Sequence, residues 1–95
     1  MKTIFRNSIH KKDKSHDCLI CEINGKKVKI TYESYNAVER CNTDIFDGHS
    51  WNHFLSMLDM GITPENTSYI WEESKREKRA NELIKKAEKM CKDII

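Results

Sequence analysis

Asp17-Cys-Leu-Ile-Cys-Glu-Ile23, then Asn24-Gly25, then Lys26-Lys-Val-Lys-Ile-Thr-Tyr32 is the run that decides the fold. Two β-prone segments flank a dipeptide suited to positive φ at both central positions, which is the requirement of a two-residue type I′ hairpin turn. Such a turn sets the register. It pairs Ile23 with Lys26, Glu22 with Lys27, Cys21 with Val28, Ile20 with Lys29, Leu19 with Ile30, Cys18 with Thr31 and Asp17 with Tyr32. Leu19, Cys21, Ile23, Val28, Ile30 and Tyr32 then share one apolar face, while Glu22, Lys27, Lys29 and Thr31 occupy the other. A lone hairpin is marginal in water, so a further strand or a covering helix is required.

Upstream, Thr3-Ile-Phe-Arg-Asn-Ser-Ile9 alternates loosely and is a candidate third strand, joined to the hairpin by a polar loop over His10–His16. Residues 33–46 are assigned to no element, although Thr43-Asp-Ile-Phe46 is a candidate short strand. Asp47-Gly48-His49-Ser50 offers turn and N-cap chemistry. Trp51, Phe54, Leu55 and Leu58 follow at i, i+3, i+4 and i+7, the stripe of a short amphipathic helix with Gly61 as its stop. Thr63-Pro64-Glu65 reads as another helix start. From Ser68 onward there is neither Gly nor Pro, and Ala80, Ile84, Ala87, Cys91 and Ile94 keep a 4-3-4-3 seam, flanked by Leu83 and Met90.

A helix over residues 68–95 measures about 42 Å, against a diameter of about 30 Å for a domain of this size. It therefore projects, breaks or packs on another chain. The seam is expected to cover the sheet in preference to forming an obligate dimer, with homodimerisation through the last helix as the alternative. Together these segments predict an α+β fold: a small antiparallel sheet built on the hairpin, a short amphipathic helix and a long C-terminal helix. The whole forms one domain, residues 1–95, with residues 1–46 sheet-rich and 47–95 helical.

Ninety-five residues at 38% hydrophobic and 34% charged suit a single small core and leave little scaffold for a deep active site. The net charge of +2 conceals segmentation. Residues 1–31 carry eight basic and three acidic side chains, a balance of +5. Residues 32–74 carry one and eight, a balance of −7, and residues 75–95 carry eight and four, a balance of +4. That layout suits neither a polyanionic nucleic-acid mimic nor a uniformly basic nucleic-acid binder. The first residues are charged by Arg6 and no long apolar run follows, so a cytoplasmic protein with its cysteines as thiols is expected.

Several clusters bear on chemistry. Cys18 and Cys21 have zinc-like spacing, with His16, Cys41, His49 and His53 as nominal partners. Inside a strand, however, residues three apart face opposite sides, so ordinary strand cysteines are expected and no cofactor. His49 and His53 lack the glutamate of a zinc-protease helix motif. With only three glycines there is no phosphate loop, and no enzymatic activity is expected. Lys75, Arg76, Lys78 and Arg79 form a basic cluster, either a solvated helix face or, on a projecting segment, a contact for phosphate or an acidic protein surface. Lys11, Lys12, Lys26 and Lys27 add basic groups at two loop tips.

The block Phe46-Asp-Gly-His-Ser-Trp-Asn-His-Phe-Leu-Ser-Met-Leu-Asp-Met-Gly61, followed by Lys75-Arg-Glu-Lys-Arg-Ala80, resembles small accessory proteins of tailed bacteriophages. That resemblance implies a protein that binds and inhibits a host enzyme or defence complex, CRISPR nucleases included. The expected function is a non-enzymatic protein-binding module of this kind, acting on a host protein or nucleoprotein complex. The alternative is a nucleic-acid-binding accessory protein using the basic helix and hairpin lysines.

Overall fold

A computed structural model describes residues 2–11, 14–35, 38–62 and 73–95. Five strands, β1 (Lys2–His10), β2 (Lys14–Ile23), β3 (Lys26–Tyr35), β4 (Val38–Phe46) and β5 (Trp51–Ser56), form an antiparallel meander in the order β1-β2-β3-β4-β5. Among the described residues one helix, α1 (Glu73–Ile94), lies across one face. The architecture is α+β.

The β2–β3 register is the one the Asn-Gly turn dictates, from Ile23 opposite Lys26 to Asp17 opposite Tyr32, and it continues to Lys14 opposite Tyr35. Asn24 and Gly25 have φ of 50° and 81°, the left-handed pair a type I′ turn needs. Alternation sends Leu19, Cys21, Ile23, Val28, Ile30 and Tyr32 beneath α1, where Ala80, Leu83, Ile84, Ala87 and Cys91 meet them in one core. The seam therefore covers the sheet from Ala80 to Cys91, whereas its last expected member, Ile94, is 52% exposed. Each fully buried Leu or Ile contributes about 1.5–3 kcal/mol to holding the layers together.

Three local expectations are corrected. The His10–His16 loop is largely strand, because β1 runs to His10 and β2 starts at Lys14. Residues 38–46, left without an element apart from the short candidate at Thr43–Phe46, form the full strand β4, paired with β3 from Val28–Ile45 to Tyr35–Val38. The short amphipathic helix is absent, and β5 occupies its place. A bulge explains the misleading spacing. Thr43 pairs with Leu55 and Asp44 with His53, so Phe54 is the extra residue, and Phe54 and Leu55 both pack against the core. The Thr43 hydroxyl accepts from the Leu55 N–H at 2.8 Å and donates to the Leu55 carbonyl at 3.2 Å, bracing the bulge. Trp51 instead stacks on Phe46, at 5.2 Å between ring centroids, while Leu58 is 71% exposed. The four residues never form one stripe.

The N-cap chemistry ahead of Trp51 serves a strand turn. Asp47 accepts hydrogen bonds from the N–H groups of His49 and Ser50, each at 2.8 Å, and from the Asn52 amide at 2.7 Å. These donors favour the carboxylate and lower its pKa to about 2, the Ser50 amide contributing most. The turn contribution is complete above the ordinary value of 3.8 and is lost as pH falls through about 2. In an NMR pH titration, the His49 and Ser50 amide shifts should therefore move with a midpoint near the lower value; a midpoint near 3.8 would contradict this geometry.

Gly61, read as a helix stop, closes a turn after β5 with φ 71°. Its N–H donates to Leu58 and that of Ile62 to Met57, which tucks Met57, Met60 and Ile62 into the core. The helix start at Thr63-Pro64-Glu65, and residues 68–72 of the long helix, lie outside the described residues. The described part of the helix packs on the sheet: its 22 residues span about 33 Å, within a longest dimension of 38 Å.

Candidate interaction surface

Beneath α1 the inner face of the sheet changes character along its length. Toward the β2–β3 turn it is apolar. Toward the opposite end it carries Ser15, Asp17, Ser34 and Glu39, all buried, together with the Tyr32 hydroxyl. Desolvated polar groups need partners, and the first turns of α1 supply them. Arg79 makes a two-pronged ion pair with Glu39, Nε to Oε2 at 3.1 Å and Nη2 to Oε1. Tyr32 donates to the same carboxylate at 2.8 Å. Arg76, 0% exposed, donates to the Ser34 hydroxyl at 3.1 Å. From β1, Arg6 grips Asp17 through Nε at 3.2 Å and Nη2 at 2.9 Å, and Nη2 also reaches the Asn81 side chain of α1 at 2.7 Å.

Two members of the basic cluster, Arg76 and Arg79, therefore point inward and bind the helix to the sheet. Neither presents its guanidinium as a solvated or phosphate-binding surface. Arg76 stands four residues before the seam residue Ala80 and Arg79 four before Leu83 on its flank, so helical spacing is the available signal for which face they occupy. Lys75 and Lys78 are exposed. Lys11 is exposed at the same end of the sheet, where it lines an open groove of about 650 Å³ with Lys14, Glu33 and Arg40. Lys26 and Lys27 are exposed at the β2–β3 turn. Nine residue steps of β2 separate the two ends, about 30 Å, so the basic residues form two regions. Lys12 lies outside the described residues.

The cysteines and histidines are dispersed. Cys18 is on the outer face and Cys21 on the inner face, as strand alternation requires. Cys21, Cys41 and Cys91 are buried thiols in the core, and burial raises the pKa of each. His49 sits in the Asp47 turn and His53 on β5 opposite Asp44, so they share no helix face. Among the described residues there is no group of His, Cys, Asp and Glu arranged to hold a metal ion.

One constellation had no sequence motif to announce it: His10 Nδ1 lies 3.0 Å from the Ser15 hydroxyl, and its Nε2 lies 4.0 Å from Asp17. Pairing of β1 with β2 brings these residue types together. Asp17 is committed to Arg6 and the Ser15 hydroxyl is buried under the helix layer, so the arrangement offers no accessible nucleophile and serves as a polar brace.

The outer face of the sheet is left uncovered by α1. Register places Phe5, Ile20, Lys29, Asp44 and His53 in one row across all five strands. At the β4–β5 side the ammonium of Lys27 lies 5.2 Å from the centroid of Phe46, and that of Lys29 lies 4.7 Å from that of Trp51. Each such contact is worth about 0.5–1 kcal/mol when exposed. Two positive charges are thereby held in place over an aromatic pair, beside the apolar Phe5–Ile20 pair. The sequence picks out Lys27 but not Lys29, Phe46 and Trp51, because Trp51 reads as part of a helix and Phe46 as the end of a short strand with no stated pairing.

Comparisons with known protein families, curated proteins and solved structures find no match to this chain. Among the described residues no helix is long and apolar enough to cross a membrane.

Proposed function

We propose that the protein is a small non-enzymatic protein-binding module that engages its partner through the open sheet face. The observation carrying this reading is the Lys27–Phe46 and Lys29–Trp51 arrangement on a face that no element among the described residues covers. Held cations beside exposed apolar surface suit a protein surface that presents carboxylates around an apolar centre. In its specific form the proposal is a phage-type inhibitor that occupies a functional surface of a host defence nuclease or nucleoprotein complex, in the bacterial cytoplasm. That form rests on the phage-protein resemblance alone.

Two paired measurements test it. Tagged protein should retain the same host protein from bacterial lysate after nuclease treatment, and Lys29→Glu with Trp51→Ala should lose it while Lys75→Ala with Lys78→Ala keeps it. Expression should protect phage from a host defence system, and the first double variant should not. No retained partner together with no protection would overturn the reading.

Nucleic-acid binding is the second reading, favoured by the same pairing of lysines with aromatic rings, which also suits stacked bases and phosphates. It loses Arg76, which is buried, and Arg79, which is ion-paired with Glu39 and only 10% exposed. It predicts affinity falling steeply with salt and weakened by Lys27→Ala with Lys29→Ala. Affinity indifferent to salt would remove it.

A further inference from the structure

Strand β1 stands at one edge of the sheet, with every residue from Lys2 to Ile9 exposed. Its pairing with β2 shifts register between Thr3 and Phe5 and is regular from Phe5 to His10. Sheet edges are ordinarily blunted by lysines, prolines, bulges or short length. Here Lys2 and the bulge both precede the regular stretch. The cation within it, Arg6, is already paired with Asp17 and Asn81. What remains is a six-residue edge with Phe5 and Ile9 on its outer face, 49% and 41% exposed. The other edge, β5, has six residues in all and is broken by the bulge at Phe54.

We propose that β1 pairs antiparallel with β1 of a second copy of this chain, about a two-fold axis through Asn7, joining two five-stranded sheets into one of ten strands. The occupant and the register follow from the strand itself. Opposed residues in an antiparallel pair share a face, so the axis must pass through a residue. An axis at Arg6 sets Arg6 against its own copy, a like-charge pair, and Phe5 against Asn7. An axis at Ser8 sets Arg6 against His10 and Ile9 against Asn7. The axis at Asn7 sets Phe5 against Ile9 twice and Arg6 against Ser8. It alone of the three matches apolar with apolar, and it avoids opposing cations. The row from His53 through Lys29, Ile20 and Phe5 then continues into Ile9 and His16 of the second copy, and the open face is doubled. This inference is independent of which partner that face binds.

An interface of one strand per copy is smaller than the standard of about 1,600 Å², so a micromolar dissociation constant is expected. Sedimentation equilibrium from about 10 μM to about 1 mM should show monomer giving way to dimer across that range. Phe5→Lys should remain monomeric at the highest concentration with an unchanged circular dichroism spectrum, and Leu58→Lys should dimerise like wild type. Opposed residues of antiparallel strands have Cα atoms about 4.5 or 5.5 Å apart, within disulfide range. In a Cys18→Ser background, Asn7→Cys should cross-link to its own copy on mild oxidation and Phe5→Cys should not. Wild type monomeric at about 1 mM overturns the proposal, as does a dimer that survives Phe5→Lys and fails to cross-link through Asn7→Cys.

Discussion

Glu39→Leu should lower the free energy of unfolding by about 3–5 kcal/mol, the range for breaking a buried ion pair by removing one partner. The side chain of Glu39 is 0% exposed and that of Arg79 10%, so the change leaves a guanidinium in a desolvated site without its carboxylate, and the Tyr32 hydroxyl without its acceptor. Against a total stability of about 5–15 kcal/mol for a small domain, the loss moves the thermal midpoint by more than about 12 °C. The paired change Glu39→Leu with Arg79→Met distinguishes this mechanism from simple disruption of the core. Replacing both charges by apolar groups of similar volume is often neutral or stabilising, so the double variant should recover most of the loss. Urea unfolding of the two single variants and the double variant measures the coupling directly. A Glu39→Leu cost below about 1 kcal/mol would mean that the pair behaves as a solvated surface contact.

Stability should fall in alkali, and Cys41 should account for a defined share of the fall. Burial, with the nearby Glu39 charge adding to it, pushes the Cys41 thiol from 9.0 up to about 12. A raised thiol pKa means that the unfolded chain releases its proton first. The stabilisation is complete below about pH 9 and is lost as pH rises toward 12, at about 1.4 kcal/mol per pH unit. Cys21, pushed up to about 11 chiefly by burial, and Tyr32, raised by burial and by its hydrogen bond to Glu39, act in the same direction. Unfolding at pH 8 and pH 10.5 should show the decline in wild type and a smaller one in Cys41→Val, less by one proton. Equal slopes in the two proteins would show that the Cys41 thiol ionises as readily when folded as when unfolded.

Both predictions concern residues whose importance lies in three-dimensional placement. Glu39 falls in a stretch that carries no periodic signal, since Val38-Glu-Arg-Cys-Asn-Thr-Asp-Ile-Phe46 mixes charged and apolar residues without a clean face. It becomes a strand because β3 presents an unpaired edge along its whole length and β4 satisfies it. Glu39 then points inward because its neighbour across the ladder, Ser34, does. The basic cluster has the same history. The four cationic positions within 75–79 read alike, yet α1 turns Lys75 and Lys78 outward and Arg76 and Arg79 onto the sheet. The candidate binding surface was legible only in part. Lys26 and Lys27 stood out by position, whereas Lys29, Phe46 and Trp51 come together through three strands paired in register.

Read alone, the sequence determines the β2–β3 hairpin, its register, the apolar face it presents and the helical seam that covers that face. All of these follow from short-range rules: two residues that tolerate positive φ, strict alternation in a strand, and a 3.6-residue repeat in a helix. Tertiary structure decides the rest. It turns the 51–58 stripe into a bulged strand, because pairing with β4 and burial of both Phe54 and Leu55 outweigh local helical spacing. It also draws two arginines into the core, because Glu39 and Ser34 wait there for donors, and no spacing rule within one segment carries the position of a partner forty residues away.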